Sequence, residues 1–443
     1  MTEIPQDVKL VMETLEAAGH EAWCVGGCVR DLRLGRTPED WDVTTNALPE
    51  QTLALFGDRA LPTGLRHGTV TVRTSERAVE ITTFRRDGNY RDHRRPERVT
   101  FTCSLEEDLS RRDFTVNAMA MDLRGVFRDP FGGAEDLKMG ILRCVGEPER
   151  RFREDALRMM RGLRFAADLA FSIHPQTAAG IHRCRELLAE IAPERIQTEL
   201  TRLLTGQQPA EVLRAYPDVL GVFWPEILPM VGLDQRNRHH CYDVWEHTLH
   251  ALSASPPDPV VRYTMLLHDI GKPDCMRLDE DGRGHFRGHP VQSARMAEQM
   301  LRRLRFDNRT RACIVRLVEW HDRPIAATDP AVRRCLRALG EEDLRRLLAV
   351  KRADNLAQAP AYQDRQRELD RVEAVLDRLV EENACVSLRQ LAVSGRDLLA
   401  LGYVGPAVGR ELNQLLDAVV DGVVPNERAS LLDWARKDRQ DCR

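Results

Sequence analysis

The sequence predicts an α/β head followed by an all-helical remainder, and three observations carry that prediction. Short runs of β-branched and aromatic residues, punctuated by turn residues, concentrate in residues 1–145. Beyond them apolar residues recur at helical spacing, interrupted by breakers such as Pro217, Pro225 and Pro229. A chain of 443 residues can bury several cores, enough for three or four domains. The expected divisions are a head at 1–145, a helical neck at 146–205, a helical body at 206–360 and a helical tail at 361–443.

Composition narrows the class. No apolar run reaches the roughly 18 residues of a membrane span, so no membrane partner is expected. Met1-Thr2-Glu3-Ile4-Pro5 lacks a basic stretch followed by an apolar one, so no secretory signal is expected and the default location is cytoplasmic. The 11 cysteines are scattered with no Cys-x-x-Cys spacing, which predicts reduced thiols and no cysteine zinc site. Net charge is only −4, but arginines cluster locally, at Arg85, Arg86, Arg91, Arg94, Arg95 and Arg98 and again along 150–164. Such clusters are either solvated faces or polyanion-binding surfaces. Nothing in the residues sets an oligomeric state.

Along the head, Val8, Val11, Met12 and Leu15 share one face of a helix over 5–18, stopped by Gly19. Residues 22–25 read as a strand entering the turn Gly26-Gly27, which Arg30 and Asp31 follow. Asp40-Trp41-Asp42-Val43-Thr44-Thr45 reads as a second strand, and residues two apart on a strand share a face. Asp40 and Asp42 would then stand side by side. Adjacent carboxylates repel unless a cation neutralises them. Their hard oxygens suit Mg²⁺, which binds through one or two carboxylates and substrate phosphates. Glycines at 26 and 27 let backbone N–H groups approach a polyphosphate. A lone Asp-x-Asp is a solvated strand; with Gly27 and Arg30 in the same window, a metal–nucleotide site is the better reading. Strands over 69–73 and 78–84 should pair, with Glu80 either a third carboxylate or an exposed strand residue. Residues 85–98, with Gly88, Asn89 and Pro96, read as a mobile basic loop. Ser104 and Glu107 form a capping box for the next helix. A turn at 129–133, a helix start and a last strand at 141–145 close the head.

The run Val25-Gly26-Gly27-Cys28-Val29-Arg30-Asp31, followed by Asp40-Trp41-Asp42, resembles the active-site signature of the class II tRNA nucleotidyltransferase and bacterial poly(A) polymerase family. Arg111-Arg112-Asp113-Phe114-Thr115-Val116-Asn117-Ala118 matches that family's second motif residue for residue. The resemblance implies a polymerase-β-like mixed sheet, with Arg112 on the triphosphate and Asp113 on the ribose; a structural ion pair is the alternative for either. In the neck, 153–165 reads as one helix with Leu157, Met160 and Leu163 inward and Asp155 and Arg158 as surface neighbours. That pair is ordinarily an exposed ion pair of small value. In the family it resembles, the matching Glu-Asp-x-x-Arg motif reads the incoming base. A carboxylate accepts from the amino group of cytosine or adenine and a guanidinium donates to the ring acceptor, whereas uracil and guanine set a carbonyl against the carboxylate. The resemblance also assigns Arg161 and Arg164 to the phosphates or to support of Arg158.

In the body, His247, His268-Asp269, His289, His321 and Asp354 resemble the HD metal-dependent phosphohydrolase superfamily, most specifically through Met265-Leu266-Leu267-His268-Asp269-Ile270-Gly271-Lys272-Pro273. This donor set suits Mn²⁺, Fe²⁺, Ni²⁺, Co²⁺ or Zn²⁺. With His289 and His321 present, a two-metal version with bridging Asp269 is expected; the alternative is the fold without the catalysis. His239, His240 and His250 receive no role. The tail should hold a helix over 364–381, a helix capped by Ser394 and another opened by Gly405-Pro406. Together the resemblances imply template-independent CCA addition to the tRNA 3′ end from CTP and ATP, with HD-domain hydrolysis of phosphates on RNA ends. The alternatives are a poly(A) polymerase, a partial CC- or A-adding enzyme, or an HD phosphohydrolase with an RNA-binding head.

Overall fold

The computed structural model describes residues 4–88 and 99–441. The chain forms two compact units, Met1–Leu228 with Arg303–Arg305, and Pro229–Arg302 with Phe306–Arg443. In the first, α1 (Gln6–Ala17) precedes β1 (Ala22–Val25), α2 (Gly27–Arg33), β2 (Asp42–Thr45) and α3 (Pro49–Phe56). After them come β3 (Ala60–Gly64), β4 (Thr69–Arg73) and β5 (Ala78–Thr83). The hairpin β6 (Arg85–Asp87) and β7 (Val99–Phe101) leads to α4 (Leu105–Ser110), β8 (Ala120–Met121) and β9 (Phe127–Arg128). Seven strands form one mixed sheet in the order β3-β4-β5-β2-β1-β8-β9. Val8, Val11, Met12 and Leu15 of α1 are all buried, as their spacing requires.

Register puts the acidic residues together. β1 runs antiparallel to β2 with Val25 opposite Asp42, and β2 runs parallel to β5 with Asp42 opposite Glu80. The second strand starts at Asp42, not at Asp40. β1 ends at Val25, the partner of Asp42, and the chain then turns at Gly26 into α2, so Asp40 has no strand to pair with. Trp41 is buried all the same, between an exposed Asp40 and a half-buried Asp42.

The basic stretch expected as a loop begins as a strand, Arg85 opposite Phe101. Its arginines at 91, 94, 95 and 98 lie outside the described residues. Ser104 caps α4 by accepting from the Glu107 N–H at 3.3 Å, but the Glu107 carboxylate goes to Arg86 and Thr102 instead of closing the box. The expected last strand shrinks to β10 (Ile141–Leu142), which follows α5 (Gly133–Met139) and pairs in parallel with β11 (Ser172–Ile173), outside the main sheet.

The neck departs from one continuous helix. α6 (Pro148–Glu154) stops at Asp155, whose backbone is extended at φ −138° and ψ 103°, and α7 (Leu157–Leu169) starts afresh. Asp155 Oδ1 accepts from the Leu157 N–H at 3.1 Å, the local side-chain-to-backbone bond by which Asp competes with a helix. Leu157, Met160 and Leu163 are buried as expected, and α7 packs on the helix Pro193–Thr205.

In the second unit, helices Val244–Ala254, Pro259–Leu267, Asn308–Trp320 and Glu341–Leu356 pack on one another. The tail has its own core of Leu398, Leu415, Leu416, Val420 and Leu431. Ser394 caps Gly395–Ala400 with Asp397 completing the box, and Pro406 opens Pro406–Val420. No helix of the described residues is long and apolar enough to cross a membrane.

Candidate functional site

A cleft of about 580 Å³ in the first unit is lined by Gly27, Arg30, Asp40, Asp42, Arg112, Asp113, Arg161 and Arg164, eight residues to which the sequence reading gives roles. Gly26 sets its geometry. At φ 79° and ψ −133° it holds a conformation that β-carbon-bearing residues avoid. A Cβ there would lie 3.1 Å from Arg112 Nη1 and 3.7 Å from Asp42 Oδ2. The turn thus brings a bare backbone up to the acid and base of the site.

Burial raises the Asp42 carboxyl above the ordinary carboxylate range; the Arg112 guanidinium opposes this, while the charges of Glu80 and Asp40 add to it. Glu80 faces Asp42 across the parallel strands but is itself exposed and is not among the residues that line the cleft. The two aspartates of the cleft, Asp40 exposed and Asp42 half-buried, offer hard oxygens of the kind that suit a divalent cation such as Mg²⁺. Arg112 reaches the buried Asp108 at 3.5 Å, yet its Nε is buried with no hydrogen-bond partner. A buried guanidinium donor left open beside carboxylates suits an anionic ligand. Arg30 is held at the opposite lip, with Nε 2.9 Å from Asp31 Oδ1 and Nη1 2.8 Å from Asn117 Oδ1.

Asp113 takes the structural alternative in this conformation. Its Oδ2 accepts from Arg161 Nε at 2.8 Å and its Oδ1 from the Asn117 amide at 3.2 Å. Buried, but beside Arg161, its carboxyl is held at about 2. Arg164 pairs with the buried Glu199 at 3.1 Å. Around Phe165, the guanidinium carbons of Arg164, Arg30 and Arg161 stand 4.1, 5.2 and 5.3 Å from the ring centroid. Sequence reasoning missed Phe165, Glu199, Asn117 and the cleft residues Asp168 and Arg202. Only the three-residue spacing of Arg158, Arg161 and Arg164 hinted at a shared face.

Asp155 and Arg158 sit behind this wall, each with other partners. Arg158 is buried, donating to the Arg111 carbonyl at 2.8 Å and to Glu154 Oε2 at 3.1 Å. Asp155 Oδ2 lies 3.6 Å from Arg195. The break at Asp155 commits its carboxylate to the Leu157 N–H and to Arg195, while the Arg158 N–H still bonds the Asp155 carbonyl at 3.1 Å.

In the second unit the six expected metal ligands meet. His247 Nε2 is 2.9 Å from Asp354 Oδ1, and His268 Nε2 is 3.2 Å from Asp269 Oδ2. On the other side, His289 Nε2 is 3.3 Å from Asp269 Oδ1 and 3.2 Å from His321 Nε2. Asp269 thus presents one oxygen to each half. Two trios result, His247/His268/Asp354 and Asp269/His289/His321. Each histidine has its Nδ1 against a backbone carbonyl, of Ala357, Met265, Phe286 and Val318 in turn, at 2.6–3.2 Å. Those carbonyls accept the Nδ1 proton, so all four Nε2 lone pairs converge, as second-sphere bonds arrange them in metal sites. His268 Nε2 and Asp269 Oδ2 face each other in a buried setting, and Lys272 Nζ reaches the same oxygen at 2.7 Å. The residues fit two transition-metal ions.

Known proteins resemble this chain throughout. A family model for the poly A polymerase head domain matches residues 22–143, and one for tRNA nucleotidyltransferase domain 2 matches residues 291–435. Between them, residues 170–216 match an RNA- and SrmB-binding site of polymerase A. The CCA-adding enzyme of Lactiplantibacillus plantarum is 36% identical over 98% of both chains. That of Lactobacillus helveticus is 50% identical over 47% of this chain and 52% of its own length. The crystal structure of the Bacillus stearothermophilus CCA-adding enzyme in complex with CTP is 32% identical, with a TM-score of 0.74 over 98% of both chains.

Proposed function

This chain belongs to the CCA-adding enzyme family and is a tRNA nucleotidyltransferase, and from that premise we propose how its residues carry out CCA addition. The substrates are the tRNA 3′ end, CTP and ATP, and the reaction joins the 3′-hydroxyl to the α-phosphate with release of pyrophosphate. The observation that carries this reading is the sharing of one cleft by Asp40, Asp42, the Gly26 turn and Arg112 with its open Nε. Asp40 and Asp42 would hold Mg²⁺, which when bound supplies positive charge for the attacking and leaving oxygens. Arg30 and Arg112 bind and orient the triphosphate. Arg161 and Arg164 form the arginine wall opposite. Asp113 serves the ribose only after Arg161 yields one of its bonds.

Asp155 and Arg158 read the base. From their observed positions this requires Arg158 to exchange Glu154 for the ring acceptor. Leaving a buried polar partner unmatched against the wrong base carries large discrimination. The reaction belongs in the cytoplasm.

The test is tRNA lacking its 3′ end, incubated with labelled CTP and ATP together and separately. We expect C residues and then one A, and no incorporation by Asp42→Ala while its circular dichroism matches the wild type. Long tails from ATP alone would instead identify a poly(A) polymerase.

The converging Nε2 atoms support a second activity, a metal-dependent phosphohydrolase acting on phosphates of RNA ends. His247, His268 and Asp354 would hold one ion and His289, His321 and Asp269 the other, with Mn²⁺, Fe²⁺, Ni²⁺, Co²⁺ or Zn²⁺ suited to the donors. Phosphate release from a 2′-nucleotide or a 2′,3′-cyclic nucleotide, tried with each of these ions, decides it; no release with any of them leaves the cluster a structural one.

A further inference from the structure

We propose that the rim of the metal cavity in the second unit is a landing site for single-stranded RNA, in which Arg238, Arg283, Arg287 and Arg365 hold the phosphates upstream of an end delivered to the metal cluster. The proposal rests on the metal reading only for what happens at the cavity floor; the rim is argued independently.

The cavity measures about 360 Å³ and is lined by Asp269, Lys272, His289 and Asp354 on its floor and by Arg287, Arg365 and His239 nearer its mouth. Lys272 is already committed, its Nζ 2.7 Å from Asp269 Oδ2 and 2.8 Å from Gln235 Oε1. The four arginines differ. All are exposed, and no side chain among them has an ion-pair or hydrogen-bond partner among the described residues. Elsewhere in the same unit Arg311, Arg334, Arg345, Arg346, Arg352 and Arg378 each pair with a carboxylate, while Arg295, Arg302, Arg309 and Arg371 are unpaired among the described residues as the rim arginines are. Burial, followed by the positive charges of Arg238, Arg365 and Arg283, pushes His239 below the ordinary imidazole range, and Arg238 and Arg283 adjoin the lining residues His239 and Gly284 in the chain.

The exposed Asp322 also lines the cavity but forms no ion pair with any of the four among the described residues; like charges short of counter-charge repel one another, and a polyanion relieves that repulsion. The arrangement favours a strand over a free nucleotide. A space of this size takes about one terminal nucleotide. Arg287 and Arg365 line it, but Arg238 and Arg283 stand outside the lining residues, where only phosphates further along a strand would meet them. His239, its ring centroid 4.0 Å from that of Tyr362, adds an aromatic face at the same rim on which an unpaired base can stack.

The test uses the full-length protein and a 5′-fluorescein RNA tetranucleotide ending in a 3′-phosphate, which cannot be extended by the head. Anisotropy titrations between about 50 and 200 mM salt compare wild type with Arg287→Gln/Arg365→Gln. Competition by 3′-CMP measures the mononucleotide, and calorimetry with Mn²⁺ measures the metal. We expect the double variant to bind the tetranucleotide about tenfold more weakly and its log–log salt slope to flatten by about 1.4, as losing two single-strand phosphate contacts requires. Affinity for 3′-CMP should change less than about threefold, and Mn²⁺ uptake should be unchanged. An unaltered tetranucleotide affinity and slope overturn the proposal. Equal losses for tetranucleotide and 3′-CMP overturn it too, in favour of a mononucleotide pocket. Absence of uptake by wild type of Mn²⁺ and of the other four candidate ions sinks the metal reading alone, and the tetranucleotide result still judges the rim.

Discussion

Replacing Arg161 by Met keeps most of the apolar stem but removes the guanidinium that holds Asp113. In the native protein Asp113 is 8% exposed, so its charge is stable there only because Arg161 lies 2.7–2.8 Å away. Holding that carboxyl at about 2, against an ordinary 3.8, corresponds to about 2 kcal/mol of stability. Removing one partner of a buried pair costs about 3–5 kcal/mol because the other charge is left unmatched. The Asn117 amide and the Phe114 N–H still reach Asp113 Oδ1, which argues for the lower end. We therefore expect a loss of about 3 kcal/mol at pH 7, or roughly 6–12 °C in the melting of a unit this size. Asp113→Asn should cost less, and Arg161→Met/Asp113→Asn should recover much of the loss, giving a favourable coupling in the double-mutant cycle. The pH dependence follows from the sign. A carboxyl whose pKa is depressed by folding stabilises the native state fully above its unfolded value and loses that contribution as pH falls. Wild type should lose about 2 kcal/mol between pH 4 and 2 that Asp113→Asn does not. Thermal melts followed by circular dichroism across that range measure all four proteins. If Arg161→Met melts with wild type at pH 7, Arg161 does not hold Asp113, and its place in the cleft is reserved for a ligand alone.

Three further outcomes are expected. Gly26→Ala forces a side chain into a glycine-only conformation 3.1 Å from Arg112 and should lower nucleotide addition at least tenfold; Gly35→Ala, at φ 70° with open space around it, should cost about 1 kcal/mol of stability without that loss of rate. Arg158→Ala should relax the choice of C and A over U and G more than it weakens CTP binding, and unchanged misincorporation of UTP and GTP would argue against base reading by this residue. Chelator-treated protein should melt higher on adding Mn²⁺, by about 2.7 kcal/mol at a hundredfold excess over Kd, and His268→Ala should erase that gain; a wild-type melt indifferent to all five candidate ions would remove the metal cluster from consideration.

The readings that succeeded rest on local chemistry. Val8, Val11, Met12 and Leu15 show their buried face by period alone, and Gly26, Gly27, Arg30 and Asp42, close in the sequence, line one cleft. The histidines and aspartates from 247 to 354 were legible as one set by type, and the fold gathers them into one cluster. What escaped depends on partners distant in the chain. Nothing near Asp40 says that β1 stops opposite Asp42, and nothing in 153–165 says that Asp155 will bond to the Leu157 N–H and split the helix. The carbonyls that fix the four Nδ1 atoms belong to residues with no chemical signature of their own. Three of them lie three residues before the histidine they hold, at Met265, Phe286 and Val318.

That contrast bears on how the two sites are built. In the head, the sequence places charge where a ligand is needed and the fold leaves it partly open, as the unmatched Arg112 Nε shows. In the second unit a backbone carbonyl holds the Nδ1 of each of the four clustered histidines. A site organised in that way gains affinity by avoiding reorganisation on binding. Its dependence on backbone carbonyls also makes it sensitive to helix position: a shift of the turn ending at His321 would redirect the Nε2 atom without altering a single ligand. Removing the ring that the Val318 carbonyl holds, as in His321→Ala, should therefore abolish Mn²⁺ uptake at the Asp269/His289/His321 trio. The His247/His268/Asp354 trio should keep one ion. Calorimetric stoichiometry falling from two to one is the expected result, and an unchanged stoichiometry of two would show that His321 holds no ion.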